Sequence, residues 1–236
     1  MLSKNQIKNL TRLKQKKYRQ QEGLFIAEGG KVIKEFLNST FKLVDLFTTE
    51  TFNVENECIV SEADLKKISC LTTPNTALAI FKIPETDTII NEGLILALDD
   101  IRDPGNLGTI IRLCDWFGIK QLVCSLKTVD CYNPKVVQAT MGSLTRVNIV
   151  YTDLSIYLKE VDVPVFGAFM DGKNVYQTEL PKDGVLVLGN EANGISSIIE
   201  ASITDKISIP RFGDLQATES LNVATAGAIL LSEFRR

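Results

Sequence analysis

The chain has 236 residues, is 44% apolar and carries a net charge of −3, which suits one large or two modest domains with buried cores. Histidine is absent, which excludes Ser-His-Asp and Cys-His nucleophilic sites and argues against bound metal. No apolar run reaches the roughly 18 residues of a membrane span, and the basic start MLSKNQIKNLTRLKQKK has no apolar signal core, so no membrane partner is expected.

Residues 4–20 read as one helix, with Ile7, Leu10 and Leu13 on one side and cations around them. The first 35 residues hold nine cations against three acids, +6, leaving −9 for the remainder. That contrast suits either a phosphate-facing arm, with Lys14, Lys16, Lys17 and Arg19 as its cations, or a solvated helix face. Next come a strand at 23–30, a helix at 31–38, a strand at 42–49, a strand–helix pair over 57–69 and a strand at 77–82. These form a small α/β unit over 1–83. Residues 84–93, with Pro84, Gly93 and polar neighbours, read as a linker. The five cysteines, Cys58, Cys70, Cys114, Cys124 and Cys131, form no CxxC pair and read as buried free thiols of a reducing cytoplasm.

From 94 to 236 the apolar runs lengthen. LILALD is the continuous kind that a parallel sheet buries on both faces. A helix over about 106–117 ends at Gly118, with Trp116 and Phe117 turned inward. Strands at 121–125, 147–150, 165–170, 185–189 and 207–210 alternate with helices opening at Asn133-Pro134, at 153, near 196 and at 220. Such alternation predicts a doubly wound parallel sheet with ligands at the carboxyl ends of its strands.

Three loops stand out. DIRDPGNLGTIIR leaves a buried strand and opens a helix, with Asn106 in its first turn and Arg112 two turns in; it is either an anion-attracting helix start or an ordinary turn. LVLGNEANGIS leaves a strand through Gly189, suited to close approach by a ligand, with Glu191 at the rim and Gly194 in a left-handed turn. ISIPRFGDLQATESLNVATAGA opens a helix at Ser220-Leu221-Asn222, where Ser220 is a candidate N-cap and the small residues around Gly227 leave a shallow surface for another backbone or a ligand. The chain has neither GxGxxG nor GK[ST], which removes the usual dinucleotide and P-loop readings.

Taken in order, the loops resemble the three motifs of the SpoU/TrmH family of RNA ribose 2′-O-methyltransferases, in the SPOUT superfamily. Asn106, Gly108, Arg112, Phe117 and Gly118 carry the first, Gly189, Glu191 and Gly194 the second, and Ile209, Pro210, Ser220, Leu221, Asn222 and Val223 the third. Residues 1–82 are similar to the α/β substrate-binding domain that often precedes this catalytic domain, through GLFIAEGGKVIKEFL.

The resemblance implies an α/β fold: a parallel-sheet SPOUT domain with a C-terminal trefoil knot, behind a small α/β RNA-binding domain. It implies S-adenosylmethionine held by backbone groups around Leu188, Gly189, Ile209, Pro210 and Leu221. It implies methyl transfer to a ribose 2′-hydroxyl, with ribosomal RNA favoured over tRNA, in a homodimer that uses helix 220–235. Arg112 would meet the RNA phosphate and the 2′-hydroxyl; a guanidinium stays protonated, so stabilising the alkoxide is easier than acting as a base. Asn106 and Asn222 would position, Glu191 would orient Arg112 or the substrate, and Ser220 would hydrogen-bond. Two features depart from the family pattern: Arg211 stands where Met is usual, and FGDLQATE lengthens the span from Ile209 to Ser220. The alternatives are a tRNA 2′-O-methyltransferase, a base-modifying SPOUT enzyme and a catalytically degenerate RNA-binding SPOUT protein.

Overall fold

The computed structural model describes residues 2–85, 88–213 and 220–236. Ser3 caps the first helix, α1 (Lys4–Arg12), in a reciprocal box with Gln6. The expected single helix over 4–20 is two, because Arg19 intervenes. From α2 (Lys16–Glu22) its Nη1 donates to the carbonyls of Leu13 and Lys14 at 2.9 and 2.8 Å, taking groups a continuous helix would use internally. Gly23, at φ +64°, ends α2.

Four strands follow: β1 (Leu24–Glu28), then α3 (Gly30–Leu37), β2 (Leu43–Thr48), β3 (Glu57–Ile59), α4 (Glu62–Ile68) and β4 (Ala77–Lys82). The sheet order is β1-β4-β2-β3, with β4 antiparallel to both neighbours and β2 parallel to β3.

The second sheet begins with β5 (Leu94–Leu98), followed by α5 (Pro104–Trp116) and β6 (Gln121–Ser125). Helix α6 (Pro134–Thr140) intervenes before β7 (Asn148–Thr152), α7 (Leu154–Glu160) and β8 (Val165–Asn174). The chain closes with β9 (Gly184–Leu188), α8 (Ser197–Glu200), β10 (Asp205–Ser208) and α9 (Val223–Phe234). The six strands are parallel, in the order β10-β8-β9-β5-β6-β7. β5, β6 and β9 are buried along their whole length, which explains the unbroken apolar sequences of β5 and β9.

By contacts the chain forms two compact units, Met1–Glu85 with Asp130–Thr145, and Thr86–Val129 with Arg146–Arg236. The segment around α6 thus joins the first unit although strands of the second flank it in sequence. There Tyr132 packs on Phe25 (4.8 Å between rings), beside the Phe25–Phe36 and Phe36–Phe81 contacts at 5.4 and 5.1 Å.

Three further expectations are corrected. Trp116 is 84% exposed rather than turned inward, because α5 buries the stripe Leu107, Ile110, Ile111 and Cys114, from which position 116 is rotated away. Asn222, not Ser220, caps α9, its Oδ1 accepting from Ala224 N and Thr225 N. Among the described residues no cysteine forms a disulfide, but Cys58 is exposed on the short strand β3 and Cys70 is half-buried. Among the described residues no helix is long and apolar enough to cross a membrane.

Candidate functional site

The order of strand connections reverses between β5 and β9: β5 leads through α5 to β6 on one side, and β9 leads through α8 to β10 on the other. Doubly wound sheets open a crevice beyond the carboxyl ends of such a strand pair. The loops 99–103 and 189–196 meet there, stitched together by hydrogen bonds.

Asp99 N extends the ladder to Leu188 O at 2.9 Å, and the buried Asp99 carboxylate accepts from Ser196 N at 2.8 Å. Asp100 adopts φ +57°, a left-handed conformation that Asp tolerates better than most residues. Its carbonyl accepts from Asn190 Nδ2 at 2.6 Å and its carboxylate pairs with Arg102 at 2.8 Å. Asn190 also exchanges two backbone hydrogen bonds with Gly194, each 2.9 Å, closing a tight turn that presents Glu191.

Gly189 makes that turn possible. A Cβ there would lie 2.2 Å from Gly194 C and Ile195 N. The close approach foreseen for a ligand is thus already made by the chain's own backbone.

Glu191 points back to the start of α5. Its Oε2 accepts from Arg102 N at 3.3 Å, and its Oε1 from Asp103 N at 3.3 Å and Asn106 Nδ2 at 3.0 Å. A carboxylate at the amino end of a thirteen-residue helix is favoured by the unpaired N–H groups and the helix dipole. Asn106 Oδ1 in turn accepts from Asn222 Nδ2 at 2.9 Å, and Asn222 caps α9. One continuous chain of hydrogen bonds, Glu191–Asn106–Asn222–α9, therefore joins all three sequence motifs.

Sequence reasoning singled out these residues but paired Glu191 with Arg112 or the substrate. The structure pairs it with Asn106. Arg112 stands exposed on α5, with no hydrogen-bond or ion-pair partner among the described residues. Ser220 is exposed and Leu221 is 47% exposed. Ile209 and Pro210, half-buried, follow β10. Leu188 buries its side chain and gives its carbonyl to Asp99. Gly227 takes part in packing: a Cβ there would meet Leu188 Cδ1 at 3.0 Å, so the small residues of α9 seat the helix against β9. Most of the inserted stretch, residues 214–219, lies outside the described residues.

Two elements of the site had no sequence signal. Asn190 holds the two loops together from an unremarkable position, and Arg235 closes the far end of α5, donating to Phe117 O and Gly118 O at 2.9 and 3.1 Å.

The proposed basic arm is reduced in the first unit. Lys16 and Lys17 are exposed, and Lys14, also exposed, donates to Ser69 O at 2.6 Å. Arg19 is 2% exposed, and its Nε and Nη2 both reach Asp130 Oδ2, at 3.0 and 2.6 Å. With Nη1 on Leu13 and Lys14, each guanidinium nitrogen has a protein acceptor, so Arg19 is a structural residue and not a phosphate ligand.

Residues 93–232 match the sequence profile of the SpoU rRNA Methylase family, and residues 4–79 that of the MRM3-like substrate binding domain. The chain is 28% identical over 246 residues to the 23S rRNA (guanosine(2553)-2′-O)-methyltransferase RlmP of Bacillus subtilis (strain 168), covering 99% of this chain and 97% of that one. A solved structure of a TrmH-family protein from Porphyromonas gingivalis is 41% identical with a TM-score of 0.90, covering 100% of this chain and 99% of that one. An AdoMet-bound rRNA methyltransferase from Sinorhizobium meliloti gives 28% identity and a TM-score of 0.88, over 100% of this chain and 97% of that one.

Proposed function

The chain belongs to the SpoU rRNA methylase family, and on that premise we propose that it transfers a methyl group from S-adenosylmethionine to a ribose 2′-hydroxyl of ribosomal RNA. The observation that carries the reading is the hydrogen-bonded chain from Glu191 through Asn106 to Asn222. It gathers the three loops at the one place where an open parallel sheet accepts a ligand.

The residues there fit the donor. Leu221 offers an apolar face for a purine, while Gly189, Ile209 and Pro210 offer main-chain edges at the ends of β9 and β10. The Glu191 carboxylate suits a neighbouring cation. S-adenosylmethionine, when bound, supplies an electrophilic methyl on a sulfonium, so the protein's task is to position the reactants and manage charge.

Each amide of Asn106 and Asn222 spends one N–H inside the chain of hydrogen bonds and keeps one for a substrate oxygen. Arg112, unengaged and exposed, holds the RNA phosphate and stabilises negative charge growing on the 2′-oxygen. Ser220 adds a hydrogen bond at the entrance. Lys14, Lys16 and Lys17 of the first unit contact the RNA backbone.

We place the enzyme in the cytoplasm as a homodimer. The exposed Trp116 on α5, the helix that packs against α9, supports an interface on that face. The trefoil knot belongs to this reading too; residues 214–219, in the stretch between Ile209 and Ser220, lie outside the described residues. Mapping 2′-O-methyl positions in total RNA from a deletion strain tests the proposal: one ribosomal site should lose its mark and regain it on complementation. Loss at a tRNA position alone transfers the assignment to tRNA, and an unchanged map refutes it.

A further inference from the structure

Asp100 is a left-handed, non-glycine residue just beyond β5, and each of its polar groups is tied down. A φ of +57° costs free energy, and such a residue persists only where its surroundings hold it. Its N–H donates to Ser125 Oγ at 2.9 Å, and its carboxylate accepts from Nε and Nη2 of Arg102 at 3.0 and 2.8 Å. Ser125 Oγ lies 3.1 Å from Thr128 Oγ1, and Thr128 Oγ1 donates to Leu98 O at 3.3 Å. With the Thr128 proton engaged on Leu98, it is the Ser125 hydroxyl that donates to Thr128. Both hydroxyls are buried, so this relay fixes Asp100 to β5 itself. From that fixed point Asp100 presents its carbonyl, and Asn190 Nδ2 docks there at 2.6 Å. The two ends of the Asn190 amide have different tasks. Oδ1 accepts from Ala192 N and Asn193 N at 2.9 and 3.1 Å and so shapes its own turn. Nδ2 leaves the turn and reaches the other loop. The Glu191 contacts to Arg102 N and Asp103 N, at 3.3 Å each, are longer and come from an exposed carboxylate. The Asn190 bond is the tighter clasp.

We infer that Asn190 is a positioning residue: its amide nitrogen, docked on the Asp100 carbonyl, holds the 189–196 loop closed on the 99–103 loop and so sets the affinity for S-adenosylmethionine, without entering methyl transfer. A loop released from that carbonyl opens, and part of the cofactor's binding energy then goes into closing it. The apparent dissociation constant rises in inverse proportion to the fraction of molecules already closed. Once the cofactor saturates, the walls are closed again and the chemical step is unchanged. The inference rests on the proposed methyltransferase reading.

The experiment is calorimetry on the full chain with S-adenosylmethionine and with S-adenosylhomocysteine. Asn190→Asp keeps an oxygen for the turn and replaces the docked amide nitrogen by a carboxylate oxygen that faces a carbonyl. It should weaken both ligands by roughly tenfold. The second ligand has no sulfonium charge, so equal losses show that the new carboxylate does not act through that charge. Ser125→Ala, which unpins Asp100, should weaken both ligands in the same sense. The double variant should lose less than the product of the single losses, because both act through Asp100. Asn190→Asp decides by itself should Ser125→Ala fail to fold. In methyl transfer to ribosomal RNA from a deletion strain, Asn190→Asp should raise the KM for S-adenosylmethionine by the factor seen in calorimetry and leave kcat within about twofold. Wild-type affinity in Asn190→Asp, losses that simply multiply in the double variant, or a kcat that falls at unchanged KM would each overturn the inference. A wild type that binds neither ligand defeats the proposed function along with it, whereas a wild type that binds both no better than Asn190→Asp does defeats only the positioning role.

Discussion

Replacing Gly189 by alanine tests whether the turn after β9 is built by contact within the chain. The new Cβ would sit 2.2 Å from Gly194 C and Ile195 N and 2.6 Å from Gly194 O, all backbone atoms that no rotamer change can relieve. Relief requires opening the Asn190–Gly194 bridge, with its two hydrogen bonds of 2.9 Å. Those bonds contribute roughly 1 kcal/mol each, and forcing a methyl into a packed site adds roughly 1–3 kcal/mol. A loss of about 3–5 kcal/mol should lower the melting temperature of a domain this size by roughly 6–20 °C. Gly194→Ala is the internal control: Gly194 has φ +67° but no atom within 4 Å of a Cβ. Only left-handed backbone strain, about 1 kcal/mol, is at stake there. Melts by circular dichroism measure both, and calorimetry with S-adenosylmethionine should find binding lost only in Gly189→Ala, where Glu191 is displaced from Asn106. Similar melting shifts in the two variants would refute the argument.

Arg112→Ala should leave the melting temperature within error, since nothing among the described residues depends on that side chain, and should keep cofactor affinity. Methyl transfer to ribosomal RNA in single-turnover assays should fall by roughly 10²–10³-fold, the size of one lost oxyanion donor. Arg19→Met leaves the Asp130 carboxylate, 13% exposed, without its cation and with Tyr132 N as a remaining donor at 3.0 Å, and strips two backbone carbonyls of their donor. It should cost roughly 3–5 kcal/mol by denaturant titration, with part recovered in the Arg19→Met, Asp130→Asn double variant. Glu28 is a carboxyl whose pKa burial pushes above its ordinary value of 4.5, against the opposing hydrogen bonds of Ser69 and Cys70 and the charge of Lys14. The unfolded chain therefore ionises first as pH rises, and wild-type stability falls from about that value until the folded carboxyl also ionises. Melts against pH should show Glu28→Gln gaining on the wild type across that window, then holding a constant difference.

Local structure was legible where burial and periodicity agree. The strands β1, β4, β5 and β9 follow unbroken apolar runs, and Asn133-Pro134 opens α6 as its cap chemistry requires. The three motif loops could be picked out because glycines and polar residues interrupt those runs. What the sequence hid depends on partners far along the chain. Arg19 reads as a surface cation until Asp130, 111 residues away, is seen to hold it. Trp116 reads as core by its chemistry, and only the helix register shows that it faces water. Glu191 reads as a free acid because its partner amide lies 85 residues earlier.

The insertion of 130–145 into the first unit sets a condition on biosynthesis. Phe25 and its aromatic neighbours sit on β1, α3 and β4, translated long before Tyr132 and α6 reach the ribosome exit. The nascent amino-terminal sheet must wait for some fifty further residues before that side is sealed, a non-local closure of the kind that slows folding. Cutting the gene after Glu85 would therefore leave Phe25 without the ring of Tyr132 that packs on it.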